Sequence, residues 1–503
     1  MKTIHLKDNS WYVSESHELE REELRYLDTY HRKPNYLKQG YSEILRAFSE
    51  PTIGELLESE RSDVLVWPNS FYEGNEDMMK QHIFSITSSG KTVNSVTTSN
   101  IVGFIGTEQE DREINIKIHS RFSTIDNKGK GNDSFLYYML EKVLSINTLS
   151  YTSSSSFNDP QVFDLLLFFF PSLLKGAMSL GLYKKYVYRN YNDSNIRGAV
   201  DVSRHLRYNI PANGKIAYRT REFSYDNSIT QLIRHTIEFL RRQPLGMTIL
   251  HNDPDMEGCV EQIIQATPSY ESRQRQYIIN ENLRPVFHPY YTKYTALQKL
   301  CLRILRYERL SYGENNDKIR GILIDASWLW EEYVARVLSE NDTLGLKHYT
   351  RKGSPFHLLV NGNNHFQKII PDYLDVDKKL VADAKYIPLV KDELSADRAA
   401  PVYYKTIMYM YRFDAKHGFL FHPVSRKKAD DTNEITASEK ESFTFCDYSI
   451  EGRPGCHLFK VGIVVDIQED QSKANNEDEW KKYREIMSNR EKAFVDKIME
   501  VIQ

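Results

Sequence analysis

The rhythm of apolar and polar positions changes several times along this chain, and each rhythm predicts a different element. Residues 1–60 are mostly charged, with a spacing that predicts helices interrupted at Pro34 and Pro51. Residues 61–122 turn to alternation, so that 63–67 (DVLVW), 82–86 (HIFSI) and 114–119 (INIKIH) read as strands. A loop rich in Asn, Lys and Gly follows at 123–134, then a helical region over 135–188, a basic segment, and helices from 228 to 310. Residues 311–318 read as a linker. Beyond them, Ile324, Trp328, Ala335 and Val337 recur at helical spacing and predict an amphipathic helix over 321–337. A second apolar-periodic helix is expected over 403–413 (YYKTIMYMYRF), a short buried strand over 418–423 ended by Pro423, a polar insertion at 425–441, and a terminal helix over 476–503.

Between those two helices lies the part of the pattern with the most chemistry in it. Ile369-Ile370-Pro371-Asp372 and Leu380-Val381-Ala382-Asp383-Ala384-Lys385 are apolar runs around a charged turn, which predicts a β-hairpin. Side chains alternate along a strand, so Asp383 and Lys385 share a face. A turn centred between Asp377 and Lys378 sets Asp372 directly opposite Asp383. Two carboxylates and an ammonium then converge. Mg²⁺ accepts such hard oxygen ligands and keeps several waters, with Mn²⁺ as an alternative, so Asp372, Asp383 and the Ala384 carbonyl are the expected ligands. Lys385 supplies the positioned cation that phosphodiester hydrolysis needs next to the attacking water. Glu331, on the preceding helix, either reaches the metal, directly or through water, or is a solvated helix acid.

Composition narrows the class. A chain of 503 residues has room for two or three domains. Cys259, Cys301, Cys446 and Cys456 are scattered, without zinc spacing, and point to a reducing cytoplasm. The amino terminus has no apolar signal core, and the longest apolar run, 162–174, contains Asp164 and Pro171 and is too short for a bilayer, so a buried helix and no membrane are expected. A net charge of −3 excludes a protein that coats nucleic acid indiscriminately. Residues 184–221 are locally basic, with Arg189, Arg197, Arg204, Arg207, Arg219 and Arg221 among interleaved tyrosines. This segment fits DNA, an acidic partner protein or the solvated face of a sheet. Ser89-Gly90-Lys91-Thr92 imitates the end of a phosphate-binding loop, but Ser85 stands where its first glycine belongs, so the chain is expected to bind no nucleotide by itself.

Several separate segments resemble one family, in one order. Asn195-Ile-Arg197-Gly198-Ala-Val-Asp201 resembles its Arg-Gly-x-(Ile/Leu)-Asp signature, and Glu222-Phe-Ser-Tyr-Asp226-Asn227 with the helix after it resembles the next element. Ile322-Leu-Ile-Asp325-Ala-Ser-Trp-Leu-Trp-Glu331-Glu-Tyr333 resembles the entry into a nuclease domain. With the hairpin and the strand at 419–423, the chain is similar to McrC subunits of McrBC-type, modification-dependent restriction systems, and its carboxy-terminal third to PD-(D/E)XK nucleases. The resemblance implies an α+β or α/β multidomain fold: a mixed β-rich and helical amino-terminal partner-binding region over 1–310, and a PD-(D/E)XK restriction-endonuclease-like α/β domain over 311–503.

It further implies a cytoplasmic Mg²⁺-dependent endonuclease subunit acting on double-stranded DNA with an AAA+ GTPase hexamer of the McrB kind. The amino-terminal region would enter the ring as a stalk and stimulate GTP hydrolysis through a basic side chain at an exposed tip within 60–220. Two complexes would pair to cut both strands. One departure stands out: such nucleases often carry a glutamine and, four residues on, a tyrosine, where this chain has Lys405 and Tyr409. Lys405 either contacts the phosphate or a metal-bound water in the glutamine's place or is a surface residue. This departure supports a second reading, an assembly and activation factor for the ring with a degenerate nuclease fold. A third is a nuclease that cuts alone, without nucleotide.

Overall fold

The structure, a computed structural model, describes residues 2–14, 35–37, 45, 48–59, 62–68, 76–89, 92–109, 112–124, 133–144, 162–251, 253–310, 319–340, 346–349, 356–377, 379–387, 396–425, 442–466 and 477–502. The linker expected at 311–318, most of the 123–134 loop and nearly all of the 425–441 insertion lie outside these.

The chain opens with β1 (Lys2–Lys7), β2 (Trp11–Ser14), β3 (Asn35–Leu37), β4 (Ser62–Trp67), β5 (Phe84–Ser89), β6 (Thr92–Thr98), β7 (Ile101–Gln109) and β8 (Arg112–His119). Strands β3, β2, β6 and β5 make one sheet, while β1, β8, β7 and β4 belong to a five-stranded sheet completed from far along the chain. The expectation of helices over 1–60 is corrected for β1, β2 and β3, which are strands; Leu45, Phe48 and Ser49 are helical, as is Ile53–Glu58, and residues 15–34, 38–44 and 46–47 lie outside the described residues. Ile4 and Leu6 are buried while Thr3, His5 and Lys7 are half-buried, a period of two that the surrounding charge obscures. Ser89 pairs with Thr92 across the β5–β6 hairpin, so the apparent phosphate loop leads into a strand. Its Gly90 and Lys91 lie outside the described residues. Helix α1 (Ser134–Leu144) ends this part.

Residues 163–315 form a compact unit of their own. The apolar helix Val162–Met178 is kept despite its internal Pro171, and Leu166 to Phe170 are buried as expected. The helical region predicted up to 188 stops early, because β9 (Lys185–Asp193) alternates half-buried and exposed residues as a strand does. With β10 (Ala199–Val200) and β11 (Ile216–Ser224) it makes an antiparallel sheet that contains the basic segment. On its exposed face Arg221 lies over Tyr186 at 4.4 Å and Arg219 over Tyr188 at 4.9 Å. The rest of the unit is helical, as predicted: Ser228–Leu240, Pro244–Leu250, Pro254–Ala266, Arg275–Glu281 and Tyr294–Leu310.

The chain then returns to its beginning. β12 (Ile319–Asp325) inserts between β7, to which it is antiparallel, and β4, to which it is parallel. The predicted helix over 321–337 is thus strand for its first five residues; only then does α2 (Ala326–Ser339) start, capped by Asp325, whose carboxylate accepts from the Ser327 and Trp328 amides. For the same reason the division at 310/311 is incomplete. Residues 1–162 pack with 316–503 as one unit, and the 163–315 unit is inserted between them.

Glycine makes the β7–β12 crossing close. A Cβ on Gly103, which adopts φ +131, would sit 2.1 Å from the Ile322 carbonyl oxygen, and one on Gly321 would sit 2.2 Å from that of Phe104. Gly103→Ala should therefore lower the apparent Tm by about 5 °C or more. An unchanged melting curve by circular dichroism would contradict this account of the junction.

The remaining strands are β13 (Lys347–His348), β14 (His357–Asn361), β15 (Asn364–Lys368), β16 (Tyr373–Asp375), β17 (Leu380–Ala384), β18 (His417–Val424), β19 (Phe443–Ser449) and β20 (His457–Val464). Helix α3 (Ala396–Arg412) joins β17 to β18, and α4 (Glu477–Ile502) closes the chain. A six-stranded sheet runs β13-β16-β17-β18-β20-β19, with β17, β18 and β20 mutually parallel; β14 and β15 form a ribbon apart. Pro423 was expected to end β18, but the strand passes through it to Val424. Buried polar groups weld the unit: Glu491 on α4 accepts from Tyr138 on α1 at 2.9 Å and from Tyr333 on α2 at 2.8 Å, and pairs with Lys142. Among the described residues all four cysteines are free, and no helix is long and apolar enough to cross a membrane.

Candidate active site

Strands β16 and β17 pair antiparallel with Tyr373 opposite Ala382 and Asp375 opposite Leu380. The same register places Asp372 opposite Asp383, as the turn length predicted. Asp372 sits just ahead of β16, where its carbonyl accepts from the Tyr349 amide at 2.9 Å and its Oδ2 accepts from the Ala384 amide at 2.7 Å. Asp383 is the penultimate residue of β17, fully buried. The Lys385 amide donates to the Phe421 carbonyl at 2.8 Å, the same oxygen that the Trp330 indole contacts at 3.3 Å. Strand pairing thus fixes the backbone on both sides of the acidic pair.

The helix after the hairpin completes the cluster. Tyr409 donates to the Ile370 carbonyl at 2.8 Å, which pins α3 over the segment leading to Asp372. Lys405, one turn earlier on the same face, then extends its ammonium to 3.6 Å from Asp383 Oδ1. The Lys385 ammonium lies against Asp383 Oδ2 and 3.5 Å from the Ala384 carbonyl oxygen. Of the two readings of Lys405, the geometry places it beside the acidic pair, not out on a remote surface. Glu331 on α2 is held at 3.1 Å by His348 Nε2, and its charge is felt at Asp372.

Sequence reasoning missed His348. It lies opposite Tyr373 on the two-residue strand β13 and stacks on that ring at 5.3 Å. A strand so short shows no periodicity, so the only signal was proximity in the fold.

The electrostatics are strongly divided. Burial, followed by the charges of Asp383 and Glu331, pushes Asp372 well above the usual carboxylate range. Burial would also raise Asp383, but the Lys385 and Lys405 ammoniums outweigh it and hold that group below its ordinary value. Burial would lower Lys385, yet Asp383 and Asp372 keep it above its ordinary value. Lys405 is likewise raised: its burial is overcome by the same two carboxylates. The site at neutral pH therefore contains one firmly ionised carboxylate, one carboxylate that resists ionisation, and two firm cations.

A hard divalent cation fits this donor set. Both Asp383 oxygens are buried without a hydrogen-bond donor of good geometry, and their compensation comes from the Lys385 and Lys405 ammoniums and the adjoining Asp372 carboxyl. Among the described residues no three His, Cys, Asp or Glu side chains cluster as a metal cage. The oxygen donors gathered at this point, Asp372, Asp383 and the Ala384 carbonyl, are of the hard type that Mg²⁺ or Mn²⁺ would accept alongside several waters, and they do not suit a structural zinc.

Residues 96–423 match the family described as McrBC 5-methylcytosine restriction system component. Similar solved structures include a refined half-complex from a tetradecameric assembly of Thermococcus gammatolerans McrB AAA+ hexamers with bound McrC. It is 15% identical, with a TM-score of 0.43, over 97% of this chain and 100% of that one. Another is the cryo-EM structure of the Thermococcus gammatolerans McrBC complex, at 12% identity and TM-score 0.29, over 69% of this chain and 89% of that one. No curated protein matches.

Proposed function

Because the chain belongs to the McrBC 5-methylcytosine restriction system component family, we propose that it is the DNA-cutting subunit of such a system. It works docked on a McrB-like AAA+ GTPase hexamer whose hydrolysis it stimulates, and two such complexes pair to cut both strands. The observation that carries this reading is the register that sets Asp372 opposite Asp383 with Lys385 on the second carboxylate.

Asp372, Asp383 and the Ala384 carbonyl would hold a Mg²⁺ ion, which supplies Lewis-acid polarisation of the scissile phosphate and lowers the pKa of a bound water. The chain's own groups do the rest. Lys385, kept protonated by Asp383, acts as a fixed cation: it orients the attacking water by donating to its oxygen and stabilises charge building on the phosphate, and it does not serve as a base. Lys405 adds a second positive charge from the helix side, 3.6 Å from Asp383, where a phosphate oxygen can approach it. Asp372 accepts the Ala384 amide and so aligns the end of β17. Glu331, oriented by His348, can accept a proton from a water of the site.

Lys405 also favours the second reading. Two ammoniums on Asp383 compensate its charge without any ion, as in a nuclease fold retained only for assembly. The full chain combined with a McrB-like GTPase separates the two. With Mg²⁺, the wild type is expected to nick plasmid DNA and to raise GTP turnover, while Lys385→Ala keeps the GTP effect and loses nicking by about 10²-fold or more. Stimulated hydrolysis without nicking, in Mg²⁺ and in Mn²⁺, would establish the assembly factor instead.

A further inference from the structure

The strands β14 and β15 belong to no larger sheet. They make a free-standing ribbon with His357 opposite Lys368, Leu359 opposite Phe366 and Asn361 opposite Asn364. Its base is anchored: Phe356 packs on Phe413 at 4.8 Å, the Ile369 amide donates to the Phe356 carbonyl at 3.0 Å, and Arg412 Nε donates to the His357 carbonyl at 2.9 Å. Beyond the base the ribbon is bare. Leu359, Val360 and Phe366 are 58%, 62% and 48% exposed, and every residue of β15 is exposed. Scattered apolar residues on a surface need no explanation, but a rigidly rooted ribbon that exposes a cross-strand Leu–Phe pair does.

We propose that this ribbon enters a groove of the DNA duplex beside the cut, an inference that rests on the nuclease reading above. Three observations fix the occupant. First, residues 357–368 contain no Asp or Glu but do contain Lys368, His357 and His365, so the ribbon meets a polyanion without repulsion. Second, its turn is made of carboxamides: Asn361, Asn363 and Asn364 flank Gly362, whose φ of +59 allows the tight reversal, and all are exposed. Such groups donate to and accept from base edges and phosphates. Third, the ribbon is continuous with the site, since Lys368 is separated from Asp372 only by Ile369, Ile370 and Pro371. A two-stranded ribbon about 15 Å long suits a major groove about 12 Å wide, where apolar side chains such as the Leu–Phe pair can contact thymine methyl groups. A protein partner would exploit the apolar pair, but the absence of any acid beside Lys368, His357 and His365 favours a polyanion.

The test uses two paired variants of the full-length chain, Leu359→Ser with Phe366→Ser, and Asn363→Asp with Asn364→Asp. All four side chains are exposed, and unchanged thermal unfolding verifies the fold. Affinity for a short labelled DNA duplex is measured by fluorescence anisotropy without divalent cation, together with sedimentation of the protein alone. Each variant is expected to bind about tenfold more weakly or worse, and the deficit of the Asp pair should shrink as salt is raised. Wild-type affinity in both variants overturns the proposal, as does an unaltered chain with no affinity for the duplex. Variants that keep DNA affinity but convert a dimer to a monomer assign the ribbon to a second copy and also overturn it. Asp383→Asn, carried in parallel, should bind the duplex as the wild type does and, once the GTPase partner, GTP and Mg²⁺ are added, should fail to cut where the wild type cuts; if it cuts, the nuclease reading fails while the binding result for the ribbon still stands.

Discussion

Asp383→Ala is expected to reduce DNA cleavage by about 10³-fold or more, while stimulation of the partner GTPase stays within about twofold of wild type. The effect is large because this carboxylate is the charge centre of the cluster. It is the group that Lys385 and Lys405 both pair with, and both of its oxygens are buried. Without it, Asp372 must hold a divalent cation alone, opposed by two ammoniums, and Lys385 loses the partner that aims it. Lys405 is 42% exposed and can turn to solvent, so the stability penalty falls mainly on Lys385. That penalty is local, because the backbone of residue 383 stays paired with Leu420 of β18 whatever its side chain. A plasmid-nicking assay beside phosphate release decides the matter. Residual cutting within tenfold of wild type would remove Asp383 from the chemistry.

The sequence disclosed this site because its signals are local. Alternation on both sides of a polar turn fixed the register of Asp372 and Asp383, and helical spacing put Lys405 and Tyr409 on one face of α3. Elements built by distant pairing were harder to see. Ile322, Leu323 and Ile324 are a continuous apolar run because β12 is buried between β7 and β4, and such a run cannot be told from a helix by periodicity, so it merged with α2. The same strand carries the chain back into the amino-terminal sheet, which is why a linear division into two halves failed. Residues 2–7 misled for the opposite reason: charged and polar neighbours masked the short buried strand around Ile4 and Leu6. His348 was beyond reach, since its importance arises from Glu331 and Tyr373, neither of them a sequence neighbour.

Asp372→Asn should cost activity and gain stability at once. Asp372 is the carboxylate whose pKa burial, Asp383 and Glu331 raise. For a carboxylate raised on folding, the favourable contribution is complete below the unfolded value of about 3.9 and is lost as pH climbs through the folded value. At neutral pH in the absence of metal, this side chain therefore costs stability, because folding holds it protonated beside Asp383 where the unfolded chain would ionise it. Asparagine removes that cost while its carbonyl oxygen can still accept the Ala384 amide, now made at 2.7 Å. The apparent Tm of the variant is expected to exceed wild type by about 1–2 °C near pH 8, with the gap closing towards pH 4. Mg²⁺ or Mn²⁺ should reverse the order, raising the wild-type Tm and leaving the variant almost unmoved, because binding to the native state alone stabilises it. Cleavage should fall by about 10²-fold or more. A variant that is less stable than wild type at every pH, or that gains as much from the cation, would mean that the acidic pair is a structural ion cluster and not a site poised for metal.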